Sequence, residues 1–267
     1  MHYACIVAFT LFCVDNGASE AWRIAFLCGG CIACIGLYAR RILNETSSFT
    51  EAKKLHALIQ KKDRIKNSKD PLPKLSLFYY FVLSLGNIVF FLFPFVYCKD
   101  LLVNMGYSPS KIALQSLYVG IFYTVNLIVY FFLVRHVCPL KIIKYRTYLS
   151  IPVLIFVPYL TQTASSDFDI LILQCLVLLI GVTCLPASPI IYKLFPVLLR
   201  SRAVLIPNAL SSAFGFLFLN FSIPFLSKYF FQYTFVILAM PISVISIFGI
   251  EHFKKAHQER ISRTANF

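Results

Sequence analysis

The chain has 267 residues, of which 59% are hydrophobic and 13% are charged, and its formal net charge is +14. A soluble domain carries about 25% charged residues and buries most of its apolar surface in one core, so this composition excludes an ordinary soluble domain and favours lipid as the solvent. The basic residues occupy short segments between long apolar runs and form no patch interleaved with stacking aromatics, which argues against nucleic acid as a partner.

The first 42 residues contain one short and one full apolar run. Residues 3–14 are too short to span a bilayer and lack the basic start of a signal peptide, so we expect a partial helix whose beginning is missing. Residues 22–42 are long enough to span. Within this run Cys28, Cys31 and Cys34 have a metal-like spacing but no fourth ligand nearby, so we expect neither a metal nor another cofactor.

Residues 43–75 form a basic linker. Its apolar residues recur at near-helical spacing between lysines, which fits a short amphipathic helix on the inner membrane surface. A solvated basic tether fits equally well. Pro71 and Pro73 end the segment before the next apolar run.

The rest of the chain contains six further apolar runs. They are 76–98, 112–134, 147–164, 169–193, 203–226 and 229–250. These runs predict an all-α membrane protein with a six-helix bundle over 76–250 and a tail over 251–267. Essentially no ionisable residue falls inside the runs, and Arg146 is assigned to the connection before the third of them.

The distribution of Lys and Arg predicts the orientation. Of the 25 basic residues, 21 fall on alternate connections, beginning with the 43–75 linker and ending with the tail. The positive-inside rule places these connections, and the C-terminus, in the cytoplasm. We therefore expect a multi-pass protein of the plasma (inner) membrane.

Three short stretches occur in the same order in one transporter family. The first runs from Trp22 and Arg23 to Leu27, the second is Gly106–Tyr107–Ser108–Pro109, and the third is Leu194–Phe195–Pro196 followed by Arg200. They resemble motifs of the metabolite:proton symporter branch of the major facilitator superfamily, which includes proline/betaine and dicarboxylate carriers.

The resemblance implies a fold and an activity. The matched stretches correspond to the C-terminal six-helix bundle of the twelve-helix fold plus the preceding helix, with helices one to four and most of five lacking a counterpart. The expected function is a truncated secondary active transporter that moves a proline/betaine-like small zwitterion or carboxylate by alternating access. In the family, proton coupling is generally placed in the N-terminal half, which has no counterpart here, and this chain by itself shows no proton relay. Such a half would need a second half-transporter chain or a copy of itself.

A second hypothesis is an inactive remnant of such a transporter, a membrane helix bundle with no transport activity of its own. An enzyme is not expected. All five histidines fall outside the apolar runs or at their ends, and the sequence has no phosphate-binding glycine loop.

Polar residues within the apolar runs are the candidate substrate-lining positions. Gln115, Phe122 and Asn126 share one face of the 112–134 run, and Asn208 is a further polar residue at membrane depth. The alternative for each polar residue is an interhelical hydrogen bond without a role in binding.

Pairs of small residues four positions apart are candidate helix contacts. Gly29 with Ala33 and Ser211 with Gly215 have the small-xxx-small spacing that lets membrane helices approach closely.

Overall fold

The computed structural model describes residues 21–42, 51, 74–197, 199–230 and 233–265. The described residues are mostly helical and contain no strand, as the sequence predicts. The helices are α1 (Ala21–Ile42), α2 (Lys74–Leu92), α3 (Cys98–Asn104), α4 (Pro109–Leu133), α5 (Pro139–Thr163), α6 (Asp167–Ile180), α7 (Ser188–Leu194), α8 (Arg200–Phe230) and α9 (Thr234–Ala265).

Five stretches of helix are long and apolar enough to cross a membrane, which indicates a membrane protein. They are Lys74–Asn104, Pro109–Leu133, Asp167–Leu194, Arg200–Ile223 and Thr234–Ser262. Each contains most of a predicted apolar run. In the first, a π-helical turn at Phe93–Tyr97 joins α2 to α3 without ending the helix.

Two other predicted spans, 22–42 and 147–164, form the helices α1 and α5, which are not among these five. α5 begins eight residues before its predicted run and includes Lys141, Lys144 and Arg146 in its first third. These three residues and two internal prolines lower its hydropathy. The predicted partial helix 3–14 and nearly all of the predicted linker 43–75 lie outside the described residues.

α2 is the central helix, packed between α8 and α9. Its large side chains Tyr80, Leu83 and Phe90 are almost fully buried. By contrast, α4 and α8 turn rows of aliphatic and aromatic side chains outward, including Val125 on α4 and Phe221 on α8. A buried centre inside an exposed apolar surface is the arrangement expected when lipid surrounds the bundle.

Side-chain contacts join residues at or near the connections between helices at the same end of the bundle. At one end the Tyr107 hydroxyl accepts a hydrogen bond from the backbone N–H of Asp167, 3.1 Å away. At the other end Lys144 forms an ion pair with Glu251, and Ser76 Oγ lies 2.9 Å from His252 Nε2. In each case the segments in contact are ones that the distribution of Lys and Arg predicts on the same side of the membrane.

The span Asp167–Leu194 is interrupted in its middle. α6 ends at Ile180, residues 181–184 are not helical, and a 3₁₀ turn at Leu185–Ala187 leads into α7. Gly181 favours the interruption because glycine has low helix propensity, and Pro186 favours it because proline lacks the N–H that would bond to residue 182. We call residues 181–184 the helix break.

Candidate functional site: a polar pocket at the helix break

A pocket lies between α2, α4, α5 and the helix break. Its cavity volume is about 20 Å³, which is room for a single water molecule, and it is partly open to the surroundings. Its apolar lining includes phenylalanine and leucine side chains, and its polar lining residues are Asn87, Tyr123, Asn126, Tyr130, Arg146 and Thr183. An apolar pocket with a few convergent polar groups is the usual form of a small-molecule site.

The helix break leaves backbone carbonyl groups at the end of α6 without helical partners, and side chains from α4 and α5 supply them. Arg146 donates through Nε to the Leu179 oxygen at 3.0 Å and through Nη2 to the Leu178 oxygen at 3.1 Å. The Tyr130 hydroxyl also donates to the Leu179 oxygen, at 2.9 Å. These bonds stabilise the broken end of α6 by supplying partners to its last carbonyl groups, which non-helical backbone in a membrane protein requires.

The charge of Arg146 has only partial compensation among the described residues. Its guanidinium carbon lies 4.3 Å from the ring centroid of Tyr130, which is a cation–π distance. The two carbonyl groups belong to the C-terminal end of α6, where the helix dipole carries about half a negative charge. No Asp or Glu is among the lining residues of the pocket.

The helix break packs very closely against α2. A Cβ atom added to Gly181 would lie 3.0 Å from Cβ of Phe90, and one added to Gly86 would lie 3.0 Å from Cγ1 of Val182. Both glycines are buried and neither has a positive φ. Their role is therefore to allow close approach of α2 to the break, which closes one wall of the pocket.

Of the four predicted substrate-lining residues, only Asn126 lines the pocket. Gln115 is buried and donates to the Gln174 amide oxygen at 2.8 Å, while Phe122 packs against a small apolar cluster of α4 and α6. Asn208 has an exposed side chain on α8. The structure therefore brings Asn126 together with residues of other helices and does not bring the other three to the same place.

The two predicted packing pairs differ. Gly215 is buried against α2, where an added Cβ would lie 3.0 Å from Cγ2 of Ile88, and Ser211 is fully buried. Ser211 and Gly215 therefore lie at a close contact between α8 and α2. On α1, the Ala33 side chain is exposed, and the structure does not describe the surroundings of Gly29.

Among the family-motif residues whose side chains the structure describes, none lines the pocket. Phe195 is buried with its ring edge-on to Tyr80, Pro196 is exposed, and Arg200 at the start of α8 is half-buried. Trp22 and Arg23 belong to α1, but the structure does not describe where their side chains lie.

Sequence reasoning missed Arg146, Tyr130 and Thr183. Arg146 lies within α5 and bonds to the middle of the neighbouring span, whereas the sequence assigned it to a connection. The available signal was the pair Gly181 and Pro186 inside one apolar run, since interrupted runs in membrane proteins often mark binding sites.

The donors that line the pocket suit recognition of a small polar solute. Two amides, a hydroxyl, two phenols and a guanidinium offer hydrogen bonds and one positive charge. Among the described residues, no group of three His, Cys, Asp or Glu side chains could hold a metal ion. Comparison of the chain with protein families, characterised proteins and solved structures gave no match.

Proposed function

We propose that this protein is a membrane transporter of the secondary active type, which binds a small solute at the helix break and moves it by alternating access. The observation that carries the proposal is the interruption of the 28-residue span Asp167–Leu194 beside a polar pocket. Broken helices with exposed backbone carbonyls are a recurring way to build a solute site near the centre of a bilayer.

The position of the pocket along the helices bears on this role. Leu179, whose carbonyl Arg146 holds, is the thirteenth residue of the span, about 18 Å from its start at a rise of 1.5 Å per residue. This distance is more than half of a hydrocarbon core of about 30 Å. Arg146 follows Lys144, whose ion pair with Glu251 marks the basic end of the bundle, by only two residues, about 3 Å along α5. A solute bound there would therefore lie nearer the basic end of the bundle than its centre.

The resemblance to the proline/betaine-like branch of the major facilitator superfamily suggests the type of solute, a small zwitterion or carboxylate. It also suggests that the active unit contains a second six-helix half, either another chain or a second copy. The exposed apolar faces of α4 and α8 could contact lipid or such a half, since both are apolar surroundings. The orientation with basic connections in the cytoplasm of the plasma membrane belongs to the same proposal.

A second candidate function is a helix bundle without transport activity. One observation favours it: Arg146 and Tyr130 both donate to carbonyl groups of α6, so their first role is structural. A bundle that only stabilises its own broken helix would show the same bonds.

Uptake by the purified protein distinguishes a transporter from a helix bundle without transport activity. The full chain is reconstituted into liposomes, and uptake of labelled proline, betaine and succinate is measured with and without an imposed proton gradient. The transporter proposal predicts uptake above empty liposomes for at least one solute and a decrease in Asn126→Leu, which removes a lining amide. Asn208→Leu, on an exposed face, is the matched control. No uptake of any of the three solutes would favour the inactive bundle.

A further inference from the structure

We infer that Arg146 is an anion-binding residue and that the solute recognised at the helix break carries a carboxylate group. This inference rests on the proposed function, and it assigns the chemical group by which the pocket recognises its ligand.

Arg146 has donors left over. A guanidinium has five N–H groups, and Arg146 uses one on Nε and one on Nη2 for the Leu179 and Leu178 carbonyls. Its Nη1 has no hydrogen bond to any residue in the part of the chain that the structure describes. A carboxylate accepts paired, parallel hydrogen bonds from a guanidinium, which a neutral solute cannot match in strength.

The charge of Arg146 favours an anion over a cation. A positive charge within a membrane protein is costly unless it is paired, and such residues usually mark a solute or ion site. Here the carbonyl end of α6 offsets about half a charge, and the pocket lining contributes no carboxylate from the described residues. The remaining positive charge would be neutralised by one carboxylate of the solute.

The carbonyl groups also set an upper limit on the negative charge of the solute. The oxygens of Leu178 and Leu179 bond to the same guanidinium and would repel a second negative charge placed beside it. A group with one negative charge therefore fits better than phosphate, which carries more. The neighbouring Asn87, Asn126 and Thr183 side chains offer hydrogen-bonding groups for the rest of a small polar solute.

Equilibrium binding to the purified full chain in detergent tests this inference without requiring transport. Ligand-induced shifts in melting temperature are titrated with betaine, acetate, choline and inorganic phosphate. Betaine and choline share the trimethylammonium group, but betaine carries a carboxylate where choline carries an alcohol. We expect a shift with betaine or acetate, none with choline, and a weaker one with phosphate. A shift with choline as large as with betaine, a preference for phosphate, or no shift with any ligand would overturn the inference.

Three variants assign the effect to Arg146. Arg146→Gln removes the charge and should weaken carboxylate binding about tenfold or more, the usual scale for loss of a charged hydrogen bond. Arg146→Lys keeps the charge and should retain the order of ligands at lower affinity, which preserves the test if Arg146→Gln does not fold. Arg135→Gln is the matched control, because Arg135 is exposed beyond the end of α4 and does not line the pocket.

The results separate this inference from the proposed function. Carboxylate binding that depends on Arg146, without uptake into liposomes, would support the site and remove the transport proposal. If the original protein takes up carboxylates and Arg146→Lys takes them up with the same affinity, transport would be supported. The role of Arg146 would then be overturned. Equal loss of binding in Arg135→Gln and Arg146→Gln would also overturn it.

Discussion

The side-chain amide of Gln115 donates to the amide oxygen of Gln174, 2.8 Å away, and Gln174 donates in turn to the carbonyl oxygen of Pro94 at 2.7 Å. This chain of buried hydrogen bonds joins α4, α6 and the π-helical turn that follows α2. Gln174 is its central member, since it uses both its oxygen and its nitrogen. The alternative that the sequence offered for Gln115, an interhelical hydrogen bond, is the arrangement that the structure contains.

Replacing these two residues should have unequal effects on stability. Gln174→Leu breaks both hydrogen bonds and leaves the Gln115 amide buried without a partner, so we expect the free energy of unfolding to fall by about 1–2 kcal/mol. Gln115→Leu breaks one bond and should cost less. Thermal melting of the purified protein in detergent measures both, with Asn208→Leu on the exposed face of α8 as a control that should change little. A larger loss in Gln115→Leu than in Gln174→Leu would contradict this account.

The helical fold could be predicted from the sequence because span length and charge placement are properties of single segments. The predicted run 76–98 lies within the continuous stretch Lys74–Asn104, and 112–134 matches α4 closely, since the bilayer thickness fixes how long an apolar helix must be. The start of α5 was predicted too late, because Lys141, Lys144 and Arg146 read as a connection. Helical backbone continues through basic residues when their side chains find partners, as Lys144 and Arg146 do here.

The site was harder to predict because it depends on contacts between distant segments. Asn126 was found because it is polar within an apolar run. Asn208 has the same property and is exposed, so polarity alone does not distinguish the two. The bond from Arg146 to the Leu179 carbonyl depends on how α5 packs against α6, which no local pattern in the sequence specifies.

The close approach of α2 to the helix break predicts that small substitutions at its glycines are destabilising. An added methyl group at Gly86 would meet Val182 and Ile242 at 3.0–3.3 Å, so Gly86→Ala should force the break away from α2 at a cost of about 1–3 kcal/mol. Gly181→Ala should behave alike, because its new Cβ would meet Phe90 and a backbone oxygen. Unfolding by heat or by SDS in mixed micelles would measure the loss.

Gly36→Ala on α1 is the control for these two variants. An added Cβ at Gly36 has nothing within 4 Å, so the higher helix propensity of alanine should leave stability unchanged or raise it by up to about 1 kcal/mol. If Gly86→Ala were as stable as Gly36→Ala, the contact between α2 and the break would not be as tight as described.

The Leu179 carbonyl accepts hydrogen bonds from both Tyr130 and Arg146. This sharing predicts which of two substitutions lowers the free energy of unfolding more. Tyr130→Phe removes one donor and keeps the aromatic ring, and the Leu179 oxygen keeps its bond to Arg146, so the loss should be about 0.5–1 kcal/mol. Arg146→Gln also leaves the Leu178 oxygen without its donor and should cost about 1–3 kcal/mol. The free energy of unfolding of each variant checks this order, and a Tyr130→Phe loss above that of Arg146→Gln would refute it.

The ion pair between Lys144 and Glu251 links α5 to α9 at the basic end of the bundle, with each side chain about one-third exposed. Because the pair is partly solvated, a double-mutant cycle of Lys144→Met and Glu251→Gln should give a coupling energy of only about 0.2–1 kcal/mol. The coupling should shrink further at high salt, since ions screen exposed charges. A coupling well above this range that salt does not reduce would mean that the pair is buried.

The most direct test of a lipid-embedded bundle with a polar pocket compares single cysteines at two adjacent positions. Val125 is 52% exposed and Asn126 is 7% exposed, so in water the Val125 position would be the more reactive one. A thiol reacts as its thiolate, which does not form in lipid but can form in a hydrated pocket. In a folded variant without native cysteines, we predict that a membrane-impermeant thiol reagent applied to open membranes modifies Asn126→Cys and spares Val125→Cys. Modification of Val125→Cys with Asn126→Cys spared would contradict the account.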